Sequence, residues 1–466
     1  MMRLIAVVAS VVVLAGCASF SPDGGMDKVS ELTKERTGQS VAVRRSQSDA
    51  EGARAHVTEL LNGPLTADSA VEVALLNSRG LQAQLGELGV AESELVRAGR
   101  LRNPSFSFGR LAGSAVVEID RAVMFDVLGL LTMPVTRQVE QRRFEQAQYQ
   151  AASDTVGLAA DVRRAFFEAV ASQQLVTYFK QVKDTADASN ELARRMVQAG
   201  NFPKLTQMRE QAFYADSTAQ LARGQHQATA ARERLTRLLG LFGDQVQFQL
   251  PGRLPDLPKQ PAEPQNAEQT AMEKRLDVLM AKRSTEATAR ALGLTKATRL
   301  VNVLQLGYQD KSQTGTPREN GYGIEIELPL FDFGSSRAAR AEAIYMQAVN
   351  RTAQVAVNAR SEVRESYSAY RTAFDLARHY RDEVVPLRKR ISDENLLRFN
   401  GMLIGPFELL ADSREQVTSV TGYVEALRDY WVAETNLQTA IFGRSPGPGG
   451  SPTPSSFSAT AAAESH

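Results

Sequence analysis

Two stretches of strict alternation, each followed by a much longer stretch of helical period, organise this chain. In the first, Phe106 and Phe108 alternate with Ser105 and Ser107. The return strand then sets Val117, Ile119, Val123 and Phe125 against Glu118, Asp120 and Ala122, with only Arg121 interrupting the apolar side. In the second, Leu304, Leu306 and Tyr308 lead into a polar loop at 311–320. Tyr322, Ile324, Ile326, Leu328 and Leu330 follow, alternating with Gly323, Glu325, Glu327 and Pro329. A period of two with one apolar and one polar face predicts strands between two different solvents. The apolar face could meet the core of a soluble sandwich, or lipid around a barrel whose polar face lines water. Two hairpins are too few strands for a sandwich.

After each hairpin the period lengthens. Residues 137–199 and 337–399 are each 63 residues long and rich in Ala, Gln, Arg and Glu. Arg137 and Arg337 are 200 apart; Arg195 and Arg398, like Pro203 and Pro406, are 203 apart. The chain is a tandem duplication. A helix of that length would run roughly 95 Å at about 1.5 Å per residue, so it is built to span a distance. Val363, Tyr367, Tyr370, Phe374 and Ala377 step by heptad spacing, as do Leu175, Phe179, Val182 and Ala186. Pro386 should kink the second long helix.

Each long segment ends in a Gly/Pro turn, Gly200-Asn201-Phe202-Pro203 and Gly401-Met402-Leu403-Ile404-Gly405-Pro406, and returns as a helix over 204–240 or 407–442. Gly240 and Gly443 are the candidate C-caps. Thr66 reads as the N-cap of an entry helix running to about Arg100, which Asn103-Pro104 ends. The organisation expected is therefore a signal at 1–16, a tether at 17–65, a first repeat at 66–240, a Pro-rich linker at 241–267, a second repeat at 268–443 and a disordered tail at 444–466. The linker assignment rests on five prolines within 250–264.

The N-terminus bears on compartment. Arg3 precedes the apolar run Leu4–Leu14, too short to cross a bilayer, and Leu14-Ala15-Gly16-Cys17 reads as a lipobox. Cys17 is the single cysteine, so it is the expected site of lipidation, with acyl chains contributing about 0.8 kcal/mol per buried methylene. No disulfide framework is possible within the chain. Of 54 basic and 53 acidic residues, one Arg and no acid lie in 1–16, leaving 53 of each; this balance argues against a nucleic-acid partner. The four histidines are scattered, and no HExxH, CxxC, GxSxG or phosphate-binding glycine loop occurs. Nothing points to catalysis, a cofactor or a metal centre.

With lipobox, duplication, hairpins and tip turns assembled, the chain resembles the TolC-type outer membrane factor family of bacterial efflux systems over about 60–443. The motifs carrying the resemblance are Ala98-Gly99-Arg100-Leu101-Arg102-Asn103-Pro104-Ser105, the run from Glu325 to Gly334 after the second hairpin, the tips at 195–205 and 398–410, and Asp429-Tyr430-Trp431. The resemblance implies a mainly α fold with membrane β structure. Three chains would each supply four strands to a 12-stranded outer-membrane barrel above a long periplasmic helical tunnel. Four strands alone cannot close a barrel, which needs at least about eight, so oligomerisation is expected on the residues alone.

The resemblance further implies a homotrimer, anchored in outer-membrane lipid and reaching through the periplasm. A periplasmic adaptor would meet both tip turns and link them to an inner-membrane pump. Exposed apolar Leu403 and Ile404 are more than a solvated turn requires. Family members ring the closed aperture with acids; Glu408 falls at the first such position, whereas Ala411 stands at the second and Asp412 follows one residue later. Glu408 and Asp412 share a helical face at i, i+4. The function expected is export of small toxic compounds or metal ions. A type I secretion channel and a structural coiled-coil lipoprotein are the alternatives.

Overall fold

A computed structural model of the protein describes residues 19–200, 203–301, 303–327 and 331–444; at 406–408 and 410–413 it describes the backbone. The chain forms two compact units. One holds Met1–Arg45, Arg79–Thr155 and Met272–Ala359; the other holds Ser46–Ser78, Val156–Ala271 and Arg360–His466. Each unit takes corresponding pieces of both sequence repeats.

The expected tether carries two helices, α1 (Met26–Thr37) and α2 (Gln47–Leu61). A capping box fixes the start of α2: the Ser46 hydroxyl accepts from the Asp49 amide, and the Asp49 carboxylate accepts from the Ser46 amide. Helix α1 buries Val29 completely, and its neighbour Gly25 accepts a hydrogen bond from Gln148 at 3.1 Å. Few apolar residues are needed, because a helix lying on a larger body buries only a narrow stripe.

The entry helix from Thr66 is two helices rather than one. Thr66 caps α3 (Ala67–Asn77) through a box with Ser69, as expected, but Ser78 is extended and α4 (Arg79–Ala98) begins anew. The Asn77 side chain donates to the carbonyls of Leu239 and Gly240 instead of facing water. The second repeat has the same break. Helix α7 (Ala267–Lys274) ends at extended Arg275, and α8 (Leu276–Ala297) restarts after it. Arg275, 1% exposed, is held by the Asp277 carboxylate through Nε and Nη2, each at 2.9 Å.

Strands β1 (Ser105–Ala112), β2 (Val117–Asp126), β3 (Leu304–Gln313) and β4 (Glu319–Ile326) pair antiparallel in chain order. The two hairpins thus lie side by side, joined through β2 and β3, and both β1 and β4 are edges. Helix α5 (Val127–Gln198) begins where β2 ends, ten residues before the expected 137, and contains Pro134. Asp126 explains the early start: its carboxylate accepts from the Gly129 amide at 2.7 Å and caps the helix. At 72 residues, α5 has a contour of about 108 Å. It turns into α6 (Lys204–Leu239), which ends at left-handed Gly240 as predicted.

In the second repeat, α9 (Ser335–His379) and α10 (Val385–Asn400) are separated by a π turn at Tyr380–Val384, where the Val385 amide reaches back to the Tyr380 carbonyl. Pro386 therefore interrupts the helix as expected, through one wide turn that places the proline in the first turn of a fresh helix. Helix α11 (Pro406–Phe442) returns from the tip. Gly443 is not left-handed; glycine fits there because a Cβ would stand 3.2 Å from Val156 Cγ1.

The heptad seams are core. Leu175, Phe179, Val182 and Ala186 are buried, as are Val363, Tyr370, Phe374 and Ala377, whereas Tyr367 is half-exposed. The linker at 241–267 packs rather than hangs. It buries Leu254 and Leu257, its Ala262 amide donates to Tyr370 Oη at 2.8 Å, and Trp431 Nε1 donates to the Pro255 carbonyl at 3.1 Å. Among the described residues no helix is long and apolar enough to cross a membrane.

Candidate channel wall and helical tips

Cross-strand register sorts the sheet's side chains onto two faces, because directly opposed residues project the same way. Phe106, Val123, Tyr308 and Tyr322 form one row. Phe125, Leu306 and Ile324 form the next, and Leu304 with Ile326 the row nearest the helices. These apolar side chains face solvent in the single chain: Phe106 is 67% exposed, Tyr322 86% and Ile324 64%. An apolar patch of this extent, closed by a tyrosine pair, is what a lipid-facing strand surface presents.

The opposite face is acidic. Glu118, Asp120, Asp126, Glu319 and Glu325 project from it, against the single cation Lys311. Lys311 is paired with Glu118, and Arg102 reaches Asp126 at 3.1 Å from outside the strands. Between them, Gly307 leaves room for its neighbours: a Cβ there would stand 2.5 Å from the Val123 carbonyl.

Arg121, the misfit in the alternation of β2, has a partner that the sequence does not announce. It sits directly opposite Asp310 across β2 and β3, with Nη1 to Oδ1 at 2.8 Å, and Arg318 closes on the other oxygen. The apolar face therefore carries an ionic cluster at its hairpin end. Position parity puts Asp310 in line with Tyr308, yet a lone Asp reads as ordinary strand punctuation without the register.

The first tip keeps its glycine for a conformational reason. Gly200 has φ 75°, closing α5 with a hydrogen bond to the Val197 carbonyl, and Pro203 starts α6. Asn201 and Phe202 lie outside the described residues. At the second tip, Gly401 has φ −77°, and the left-handed residue is Met402 at φ 58°. The Met402 amide bonds the Phe399 carbonyl and the Leu403 amide bonds the Arg398 carbonyl, a Schellman closure with methionine in the position that glycine prefers. Gly405 is extended and caps α11, which starts with Pro406. Met402 and Leu403 are 93% and 77% exposed, and Ile404 is half-exposed. Leu205 and Met208 in the first turns of α6, and Leu396 and Leu397 near the end of α10, are exposed as well.

Positions 408 and 412 are one turn apart on α11, but the side chains of Glu408 and Asp412 lie outside the described residues, as does Cys17. Elsewhere, Glu434 lines a cleft with Arg163, Phe166, Phe167 and Trp431. Burial pushes its carboxyl above the usual range, only partly opposed by Arg163, whose guanidinium is bound to Asp68 at 2.7 Å. No cluster of three or more metal-ligating side chains occurs among the described residues.

No family model matches the chain. The cobalt-zinc-cadmium resistance protein CzcC of Cupriavidus metallidurans is 24% identical over 282 residues, covering 58% of this chain; the chain spans 64% of that relative's length. Several solved structures share the fold. A Pseudomonas aeruginosa membrane protein superposes with TM-score 0.70 at 17% identity, covering 80% of this chain and 93% of its own. The outer membrane protein VceC of Vibrio cholerae gives 0.66 at 15%, covering 81% and 96%. The open-state outer membrane channel MtrE of Neisseria gonorrhoeae gives 0.68 at 13%, covering 81% and 89%. The chain shares the fold of these proteins, long helices plus a four-stranded antiparallel sheet, the mainly α fold with β structure that the resemblance implied.

Proposed function

We propose that this protein is the outer-membrane channel of a tripartite export system, and that metal cations are among its cargo. The observation that carries the channel reading is the sheet: four strands, an exposed apolar face, an acidic face behind it, and two unpaired edges. An edge strand with an apolar face cannot remain open in lipid, where every backbone polar group needs a partner. Three copies joined β4 to β1 would close a barrel of twelve strands, with the apolar face outward and the carboxylates inward.

The acidic face supports the choice of cargo. Five carboxylates against one lysine per chain would give a lumen that concentrates cations by focusing the field within a low-dielectric wall. The likeness to a cobalt-zinc-cadmium resistance protein points the same way. A tunnel wall need not bind the ions tightly, and a passive path is better served by spread charge than by a closed coordination site.

The remaining assignments belong to the same reading. The tips Gly200–Pro203 and Gly401–Pro406 meet a periplasmic adaptor that couples the channel to an inner-membrane pump. Cys17 carries the lipid anchor, and Glu408 with Asp412 lines the periplasmic aperture. The test is native mass spectrometry in detergent together with planar-bilayer recording. Three chains and a cation-selective conductance are expected. A water-soluble monomer would sink the channel reading, and an anion-selective pore would sink the cargo assignment.

A further inference from the structure

The arginines on the apolar face have no place in a uniform lipid-facing wall. Arg121 lies in the row of Phe108, Asp310 and Asn320, immediately beyond the Phe106–Tyr322 row on the hairpin side. Arg110 follows one row further out, opposite Ile119, and Arg318 stands one residue before β4, where the register would carry it opposite Ser312. All three belong to one compact unit. Three guanidinium groups thus share this end of the face with one carboxylate, Asp310, which is itself 5% exposed. The acids of the sheet otherwise project from the opposite face.

Asp310 does not neutralise the cluster; it organises it. Its two oxygens are taken by Arg121 and Arg318, which fixes both guanidiniums while leaving other N–H groups of each directed elsewhere. Their side chains remain 37% and 66% exposed. The result is a preorganised cationic ledge, positioned just past a tyrosine pair of the kind that marks a membrane interface. It is at the hairpin end, opposite to the end from which the helices leave.

We propose that this ledge binds the phosphate groups of an anionic glycolipid in the outer leaflet. The inference rests on the barrel reading above, since only in lipid does the apolar face lie beside head groups. Arginine suits the task, because its planar fork meets phosphate oxygens in pairs and is more weakly hydrated than an ammonium. The tyrosine rows would set the depth of the acyl chains, and the guanidiniums would hold the phosphates above them.

The test uses the full-length protein reconstituted in phosphatidylcholine vesicles containing either diphosphoryl lipid A or the same lipid stripped of its phosphates. Insertion is checked first by conductance. After detergent extraction and gel filtration, the wild type should retain at least five times more of the phosphorylated lipid, and the difference should shrink with added salt. The double variant Arg110→Gln/Arg318→Gln, which leaves the Arg121–Asp310 pair in place, should lose at least threefold of that retention while conducting normally. Arg110→Gln alone, which touches no ion pair with Asp310, should show a smaller loss and covers the case in which the double variant fails to insert. A conducting wild type that retains both lipids equally, or an inserted variant with undiminished retention, overturns the proposal and leaves the channel reading standing. A wild type that does not insert removes both.

Discussion

The ring of Phe179 lies against the backbone of Gly224, so close that a Cβ built at 224 would stand 2.9 Å from Cδ2. The second repeat makes the same contact with different residues: Tyr380 lies on Gly422, with its ring carbon at 2.8 Å from a Cβ there. In each repeat the long outgoing helix inserts an aromatic ring into a gap that glycine leaves in the returning one. Tyr380 opens the π turn, so the contact sits where that helix is already irregular. Both helical hairpins thus use the same kind of contact, although the 203-residue offset between the tips equates neither Phe179 with Tyr380 nor Gly224 with Gly422.

Gly224→Ala should therefore destabilise the first helical hairpin by about 1–3 kcal/mol, because buried Phe179 has little room to retreat. Pairing it with Phe179→Leu should recover part of the loss. Thermal melts of the single and double variants check this. A helix-propensity gain with no overpacking would instead make the alanine variant about 1 kcal/mol more stable.

Met402 holds a left-handed backbone at full exposure, a conformation costing roughly 1–2 kcal/mol for a residue with a Cβ. Met402→Gly should be neutral or stabilising by up to about 0.5 kcal/mol, since the relieved strain is partly offset by a freer unfolded chain. Met402→Ile should destabilise the tip by about 1–2 kcal/mol, because a β-branched residue fits this region worst. Amide hydrogen exchange at Leu403, whose N–H closes the turn onto Arg398, reports both effects locally.

Glu434 supplies a pH dependence of known sign. Its folded carboxyl is raised by burial above the ordinary value, so the folded state binds the proton more tightly than the unfolded chain does. The stability linked to it is fully present below the unfolded pKa and is lost as pH rises through the folded one. Glu434→Gln should raise the melting temperature at pH 7, and the gain should vanish as pH falls below about 4.5. A melting series across pH 4 to 7 checks it; a gain independent of pH would assign the effect to packing.

Periodicity made the strands, the long helices and the heptad seams legible, because each is a local pattern read against one partner surface. What it could not supply was register. The alternation marked Arg121 as a misfit, but its partner Asp310 is 189 residues away and only the β2–β3 pairing brings them together. Local pattern also failed at the break after Asn77, where side-chain bonds to the distant Leu239 and Gly240 carbonyls outweigh continuous helix propensity. The turn chemistry of the second tip was half legible: two glycines marked it, yet the left-handed position went to the methionine between them. The folded helices at 26–61 were hidden by their polarity, since a narrow buried stripe leaves little trace in composition.

The tip geometry sharpens what an adaptor would meet. Leu403 follows the left-handed Met402 and projects with it at a closed Schellman turn, where neither side chain has an intramolecular packing role to match its exposure. Ile404 is half-exposed beside them. Burying Leu403 and Ile404 in a groove between adaptor hairpins could contribute roughly 3–6 kcal/mol before association costs. Leu403→Asp/Ile404→Asp should therefore abolish adaptor cross-linking and export. Membrane insertion and conductance should survive, because the turn is held by backbone bonds from the Met402 and Leu403 amides that the substitutions keep. Met402→Gly in the same assay separates shape from contact. It keeps the turn, so a loss of cross-linking there would add the methionine side chain to the docking surface. Normal cross-linking and export by the double aspartate variant would place the docking surface elsewhere on the molecule.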